Sequence, residues 1–211
     1  MDTFFLHLLE KTAWPMIPPQ PGSLFHITFA AAGILCAALA AWKLRRSFGL
    51  CRIRILTVCG FILAVSEIYK QMFLYYIVND RHYDWWYFPF QLCSLPMYLC
   101  LLLPVLSRSL RKFLCTFMYS YNLLGAVMTF VDPSGLMHSY WTLTLHGFLW
   151  HILLIFIGLL IAFSRTADPS FSGFLSATGI FLISCCIATA INILARPLGN
   201  PDMFYISPYY P

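Results

Sequence analysis

The chain of 211 residues is 60% hydrophobic and only 10% charged, with a formal net charge of +5. Charges this sparse could not cover the surface of a water-soluble domain, so composition predicts a polytopic membrane protein. The basic residues lie in short segments between apolar runs, as topology signals do, and we therefore exclude nucleic acid as a partner.

Residues 1–23 are distinct from the rest of the chain. A short apolar stretch around Phe4–Leu9 carries flanking charges and is followed by Pro15, Pro18, Pro19 and Pro21. This pattern favours a short interfacial helix and a proline-rich connector. A basic start followed by a cleavage site is not visible, so no cleaved signal is expected.

Six apolar runs follow, each close to the roughly 20 residues that a helix needs to cross a bilayer core. The sequence therefore predicts an all-α, polytopic membrane helical bundle, with residues 24–211 forming a single transmembrane domain. The predicted spans are Leu24–Trp42, Ile55–Val78, Phe88–Leu106, Phe113–Val131, Trp141–Phe163 and Phe171–Ala195.

Lysine and arginine are distributed unevenly between the two sides of this bundle. The loops after the first, third and fifth spans hold nine of them, whereas the other side holds Lys11, Arg81 and Arg196. Because positive residues stay cytoplasmic, we expect both termini to face outward.

Polar side chains enter the spans at similar depths. An ionisable group inside a span costs roughly 3 kcal/mol on insertion scales, so each needs a partner or a water-filled cavity. At about 1.5 Å per residue, most of these side chains fall in the outward half of the membrane, which predicts a shared polar cavity. The residues are Glu67, Lys70, Gln91, Cys93, Asn122, His146, His151 and Asn192.

Cys93 and a histidine could together supply nucleophilic chemistry, because a thiol needs a neighbouring base to become a thiolate. His146 lies at a depth similar to that of Cys93, and His151 is the second choice. Gln91, Ser94 or Asn122 could donate hydrogen bonds to a developing oxyanion. Each residue also has a structural interpretation: a membrane thiol is usually inert, a single histidine or asparagine usually hydrogen-bonds within the core, and Glu67 and Lys70 can neutralise each other across one helical turn.

Four motifs carry a family resemblance: Phe90–Leu95 with Cys93, the Asp132-Pro133 loop, the histidine early in the fifth span, and Gly199–Tyr205. Together they resemble the YwaF-like integral membrane family, related to the transmembrane protein 164 family of phospholipid acyltransferases. The resemblance covers roughly residues 67–205. Where it implies a histidine two residues before the cysteine, this chain has Gln91.

This resemblance implies a membrane enzyme with Cys93 as nucleophile and His146 as base, which transfers or hydrolyses an acyl group of a phospholipid without a cofactor. It implies a multi-pass protein of a bacterial cell membrane whose partners are membrane lipids. No metal-type cysteine spacing or nucleotide motif is visible in the sequence. Two other functions fit the polar cluster: a small-molecule binding or transport subunit without catalysis, and a lipid-interacting scaffold.

Overall fold

The structure is a computed structural model that describes residues 2–47 and 49–209. In this part of the chain the secondary structure is helical, apart from an isolated bridge between Pro15 and Tyr140, so the all-α prediction is confirmed. The α-helices are α1 (Asp2–Glu10), α2 (Leu24–Leu44), α3 (Gly49–Phe73), α4 (Leu95–Leu102), α5 (Arg108–Phe117), α6 (Leu123–Met128), α7 (Trp141–Phe163), α8 (Phe171–Leu194) and α9 (Arg196–Gly199).

Four helical segments are long and apolar enough to cross a membrane: α2, Gly49–Val78, α7 and α8. They correspond to the first, second, fifth and sixth predicted spans. The second begins six residues earlier than predicted, because α3 includes Arg52 and Arg54. Long basic side chains can extend from a helix end toward water, so they do not stop the helix.

The third predicted span is not one continuous helix. Residues 88–91 are non-helical, a 3₁₀ turn covers Leu92–Ser94, and α4 is followed by a second 3₁₀ turn at Leu103–Val105. Proline explains these breaks: Pro96 is accommodated in the first turn of α4, where its missing N–H costs nothing, and Pro104 cannot continue the regular helix. The apolar helical stretch Leu92–Val105 is therefore shorter than the four long segments.

The fourth predicted span is a continuous helical segment with a local irregularity. A π-helical turn, Met118–Asn122, joins α5 to α6. The segment begins at Arg108, five residues before the predicted start at Phe113. Four candidate spans are thus supported by length and composition, and the crossing of the third and fourth remains a proposal.

The α7 helix is the centre of the bundle and the most buried of the four long segments. It packs against α2, α3 and α6, while α3 packs against α4 and α5 against α8. Two glycines permit close approach between helices. A Cβ atom on Gly158 would lie 2.7 Å from Cβ of Leu123, and one on Gly60 would lie 2.9 Å from Cβ of Cys100. Small residues at such contacts are typical of membrane helix packing.

The N-terminal segment packs against one end of the bundle. Leu9 of α1 forms an apolar cluster with Phe73, Leu74 and Leu143. Backbone hydrogen bonds then join residues 14–16 to residues 139–141. This end of the bundle carries the loops 79–87 and 132–140, and it contains the candidate site.

Candidate functional site

A cavity of about 760 Å³ opens at this end of the bundle. Its walls come from the end of α3, the segment 86–94, the π-helical turn with α6, the loop before α7, the first half of α7 and the C-terminal segment. Its volume lies within the range of small-molecule sites. Seven of the eight predicted site residues line this cavity, namely Glu67, Lys70, Gln91, Cys93, Asn122, His146 and His151.

Cys93 lies in the 3₁₀ turn that precedes α4, and side chains from two other elements fix the backbone of this turn. Nε1 of Trp150 donates to the carbonyl oxygen of Cys93 at 3.1 Å. Nδ2 of Asn122 donates to the carbonyl oxygen of Leu92 at 2.6 Å. The turn is thereby held against α7 on one side and against the π-helical turn on the other.

Both histidines of α7 reach the cavity, although they are five residues apart. Nδ1 of His151 lies 2.8 Å from the carbonyl oxygen of Gly147. This nitrogen must carry the proton to donate, so Nε2 of a neutral His151 holds the free lone pair. Nε2 of His146 is buried without a partner among the described residues, and the His146 ring packs on Trp150 with centroids 5.3 Å apart.

No hydrogen bond joins Sγ of Cys93 to either imidazole in the part of the chain that the structure describes. The cavity thus collects a thiol and two imidazoles without pairing them. In enzymes, such hydrogen bonds are often long or absent until a substrate is bound.

Glu67 and Lys70 form the ion pair that their spacing allowed. Nζ of Lys70 lies 2.8 Å from Oε1 of Glu67, and Nε2 of Gln71 donates to the same oxygen at 2.7 Å. Gln71 also donates to the carbonyl oxygen of Tyr87 at 2.6 Å. The buried Glu67 carboxylate is therefore neutralised and hydrogen-bonded, and Gln71 connects this ion pair of α3 to Tyr87.

Gln91 and Asn192 hold the C-terminal segment by both ends of their amides. Nε2 of Gln91 donates to the carbonyl oxygen of Asp202 at 2.9 Å, and the Phe204 N–H donates to Oε1 of Gln91 at 2.7 Å. Asn192 makes the equivalent pair with Met203, at 3.1 Å to its carbonyl oxygen and 2.7 Å from its N–H. The prediction that Asn192 shares the cavity is wrong: its side chain is fully buried under Met203 and does not line it.

The C-terminal segment supplies cavity residues that sequence reasoning missed. Phe204 and Tyr205 line the cavity from a backbone with φ of 61° and 55°, the left-handed region that side chains other than glycine rarely adopt. Burial raises the pKa of the Tyr205 hydroxyl. The motif Met203-Phe204-Tyr205 contributed to the family resemblance, but nothing in its composition indicated that it packs onto Gln91.

His138 and Trp150 were also missed. His138 lies in the loop before α7, lines the cavity, and has a pKa lowered by burial and, less strongly, by the Lys70 ammonium. Trp150 lies between the two predicted histidines, and its indole N–H was a possible signal, because a buried indole usually has a hydrogen-bond acceptor.

Two buried polar atoms at the cavity lack partners within the described residues: Oδ1 of Asn122 and Nε2 of His146. Buried polar groups are nearly always hydrogen-bonded, so unpartnered ones in a cavity point to a ligand or water. Both atoms can accept a hydrogen bond, which favours a ligand with a hydroxyl, thiol or ammonium donor. Among the residues described, no group of three or more histidine, cysteine or acidic side chains could hold a metal ion.

Comparison with protein families gives one informative result. The model of the TMEM164 family matches residues 20–208, which covers nearly all of the described chain. The match supports the relationship indicated by the sequence motifs and does not extend to the YwaF-like label. No curated protein and no solved structure matches the chain.

Proposed function

Since the chain belongs to the TMEM164 family, we propose that it is a membrane-embedded lipid acyltransferase or lipid-ester hydrolase with Cys93 as nucleophile. The observation that carries this proposal is the single cavity that Cys93 shares with His146 and His151. A cysteine with a purely structural role would not need two histidines in the same cavity. In the proposed topology Cys93 lies near the outward end of its span. This depth is compatible with a phospholipid substrate, whose ester groups lie just below the headgroups of a bilayer.

His146 is the proposed base. It shares a face of α7 with Trp150, one helical turn away, and Trp150 contacts the backbone of Cys93. Its unpartnered Nε2 is available to accept the thiol proton. His151 is the second candidate, because its hydrogen bond to Gly147 leaves Nε2 as the acceptor.

The reaction proceeds in two steps. Sγ of Cys93 attacks the ester carbonyl of a phospholipid while the histidine takes its proton; the carbon–oxygen ester bond then breaks, leaving a thioester, and the histidine returns the proton to the departing lysolipid oxygen. In the second step the histidine takes the proton of a lipid hydroxyl or water as its oxygen attacks the thioester carbonyl. The carbon–sulfur bond then breaks, the new ester or free fatty acid leaves, and the histidine returns the proton to Sγ of Cys93.

The expected oxyanion donors are Gln91, Ser94 and Asn122, and all three line the cavity. Gln91 uses its oxygen and one N–H to bind the C-terminal segment, and Asn122 uses one N–H to bind Leu92. Ser94 and the second N–H of each amide are therefore the proposed donors. The bound C-terminal segment would limit the entry of water and thus favour transfer over hydrolysis.

Intact-protein mass spectrometry after incubation with a phospholipid tests the proposal. Purified protein in detergent micelles is mixed with a phosphatidylcholine that carries an alkyne-tagged acyl chain. We expect a hydroxylamine-sensitive acyl adduct on the wild type and none on Cys93→Ala. His146→Ala should slow adduct formation about 10²- to 10⁴-fold, the usual contribution of a general base, whereas His151→Ala should slow it less.

Cys186→Ala is the matched control, because Cys186 is an exposed free cysteine of α8 outside the cavity. It should be acylated like the wild type. Labelling that persists in Cys93→Ala overturns the proposed nucleophile. A wild type that retains the phospholipid without any adduct would instead favour the small-molecule binding or transport function.

A further inference from the structure

A second cavity, of about 780 Å³, lies at the opposite end of the bundle. It is formed by the start of α3, Leu103, the first turns of α5 and the residues that follow α7. Arg52 at its wall and Glu67 at the first cavity are separated by roughly 22 Å along α3, at 1.5 Å per residue. The two cavities are therefore distinct sites.

Five basic side chains line this second cavity, and none of its lining residues among those described is acidic. They come from three separate parts of the chain: Arg52 from α3, Arg108, Arg111 and Lys112 from α5, and Arg165 after α7. Topology signals would be satisfied by basic residues anywhere in these loops. Convergence of all five on one concavity is not required by topology and indicates an anionic ligand.

Only one of the five cations is neutralised. Lys112 forms an ion pair with Asp168 at 2.8 Å, and this contact holds the pKa of the Asp168 carboxyl below its usual range. The other four make no ion pair within the described residues. The cavity thus retains an excess of positive charge that is available to a ligand.

Two of the four unpaired arginines are fixed by uncharged oxygen atoms. Arg52 donates to Oγ1 of Thr166 at 2.8 Å and to the carbonyl oxygen of Ser47 at 2.9 Å, but its buried Nε has no partner. Arg111 donates to the carbonyl oxygens of Leu103 and Pro104, at 2.8 and 2.9 Å. These contacts orient the guanidinium groups while leaving their charges uncompensated. A guanidinium fixed in this way is well suited to phosphate oxygens.

Arg165 lines the cavity and has an unusual backbone conformation. Its φ of 51° is in the left-handed region, which costs a non-glycine residue roughly 1 kcal/mol. Arg165 lies two residues beyond the end of α7, and the next residue, Thr166, accepts a hydrogen bond from Arg52. Arg165 itself makes no hydrogen bond through its side chain to another described residue.

The floor of the cavity is apolar. Leu56, Leu103 and Cys115 are buried there, with Ile53 half-buried and Leu50 exposed at the edge. Free phosphate would gain nothing from this floor. An amphiphile gains from both parts of the cavity, because its phosphate meets the arginines while its apolar portion covers the leucines.

We propose that this cavity binds the phosphate headgroup of an anionic phospholipid from the leaflet that the basic loops face. The site is independent of the chemistry proposed for Cys93. By the positive-inside rule this leaflet is the cytoplasmic one.

Native mass spectrometry of the protein with defined lipids tests this assignment. Delipidated protein is titrated with phosphatidylglycerol or phosphatidylcholine, and retained lipid is counted. We expect phosphatidylglycerol to bind more tightly than phosphatidylcholine. Arg108→Gln and Arg165→Gln should each weaken its binding about fivefold, which corresponds to about 1 kcal/mol per basic residue, whereas Arg108→Lys should keep most of it.

Arg54→Gln is the matched control, because Arg54 is an exposed residue of α3 at the same end of the bundle but outside the cavity. It should change binding less than twofold. The proposed site is wrong if the two lipids bind equally tightly, or if Arg54→Gln weakens phosphatidylglycerol binding as much as Arg108→Gln does. Either result would indicate only nonspecific electrostatic attraction between the basic loops and the lipid. A competition experiment adds glycerol 3-phosphate or inorganic phosphate at the same concentration as the lipid. If neither compound displaces phosphatidylglycerol, the cavity recognises an amphiphile. Displacement by inorganic phosphate would contradict the proposal.

Discussion

Gln91 and Asn192 show how a polar residue in a membrane segment can serve the fold rather than a substrate. Each amide binds both an N–H and a carbonyl group of the segment 202–204, in the manner of a β-bridge made by a side chain. These four hydrogen bonds, together with ring contacts of Phe204 and Tyr205, hold the C-terminal segment where it lines the first cavity.

We expect Gln91→Leu to destabilise the protein, because it leaves the Phe204 N–H and the Asp202 carbonyl without partners. The free energy of unfolding should fall by about 2 to 3 kcal/mol, measured as a lower thermal midpoint in detergent. Gln20→Leu replaces an exposed glutamine whose side chain holds no other segment, and it should leave the midpoint unchanged. Equal midpoints for Gln91→Leu and the wild type would refute the role of this amide.

His138 gives the protein an acid-sensitive component of stability. Its lowered pKa means that the folded protein binds fewer protons at this residue than the unfolded chain does. Stability from this group is therefore lost as the pH falls below about 6.5, where the unfolded histidine becomes protonated.

The His138→Gln variant should accordingly gain stability relative to the wild type as the pH falls from about 7 to 5. Thermal midpoints measured across this range check the expectation. His82→Gln alters an exposed loop histidine and provides the comparison. A difference between His138→Gln and the wild type that does not change with pH would contradict the assigned cause.

At the residue level the sequence predicted which side chains are unusual but not what they contact. Glu67, Cys93 and His146 stand out because polar groups are costly in apolar segments, and that cost is local to the sequence. The partner of Gln91 is 111 residues away. Such pairing depends on how the helices pack, and no local pattern encodes it.

At the level of elements, the length and apolarity of the sequence runs were sufficient to predict the long helices α2, α3, α7 and α8. The third predicted span is divided into shorter helical pieces, which hydropathy does not reveal because it averages over prolines. Pro96 and Pro104 mark where regular helix begins and ends, and the intervening α4 is correspondingly short. Cys93 lies in the 3₁₀ turn just before this helix and lines the cavity from there.

Close packing of α7 against the π-helical turn and α6 depends on Gly158. Gly158→Ala would place a methyl group 2.7 Å from Cβ of Leu123, so one of the two helices must move. We expect a loss of about 1 to 3 kcal/mol in unfolding free energy, seen as a lower thermal midpoint.

Gly179→Ala is the control for this substitution, because a Cβ atom at Gly179 of α8 would meet nothing within 4 Å. It should leave the midpoint unchanged or raise it slightly, since alanine favours helix by up to about 1 kcal/mol. Similar losses in both variants would show that the contact with Leu123 is not the cause.

For the whole molecule, the six-span topology makes a prediction that a four-span topology does not. If Leu92–Val105 and residues 108–128 both cross the membrane, residues 82 and 134 lie on one side and residues 109 and 169 on the other. If neither crosses, residues 82, 109 and 134 all lie on the same side.

Single cysteines at His82, Ser109, Ser134 and Pro169, all exposed positions, can decide between the two topologies in a background without other cysteines. We expect a membrane-impermeant maleimide added to intact cells to label the variants at 82 and 134, and those at 109 and 169 only after the cells are opened. Labelling at 109 in intact cells together with 82 would refute the six-span topology.

The shortness of the stretch Leu92–Val105 has a further consequence for the surrounding lipid. At 1.5 Å per residue it extends about 21 Å, against a hydrocarbon core of about 30 Å. If the stretch crosses the membrane, as the six-span topology requires, the hydrophobic mismatch would be relieved by local thinning of the bilayer, at a cost of a fraction of a kcal/mol per Å. Thinning beside α4 would bring lipid ester groups down toward Cys93, so the thickness of the host membrane would itself regulate access to the thiol.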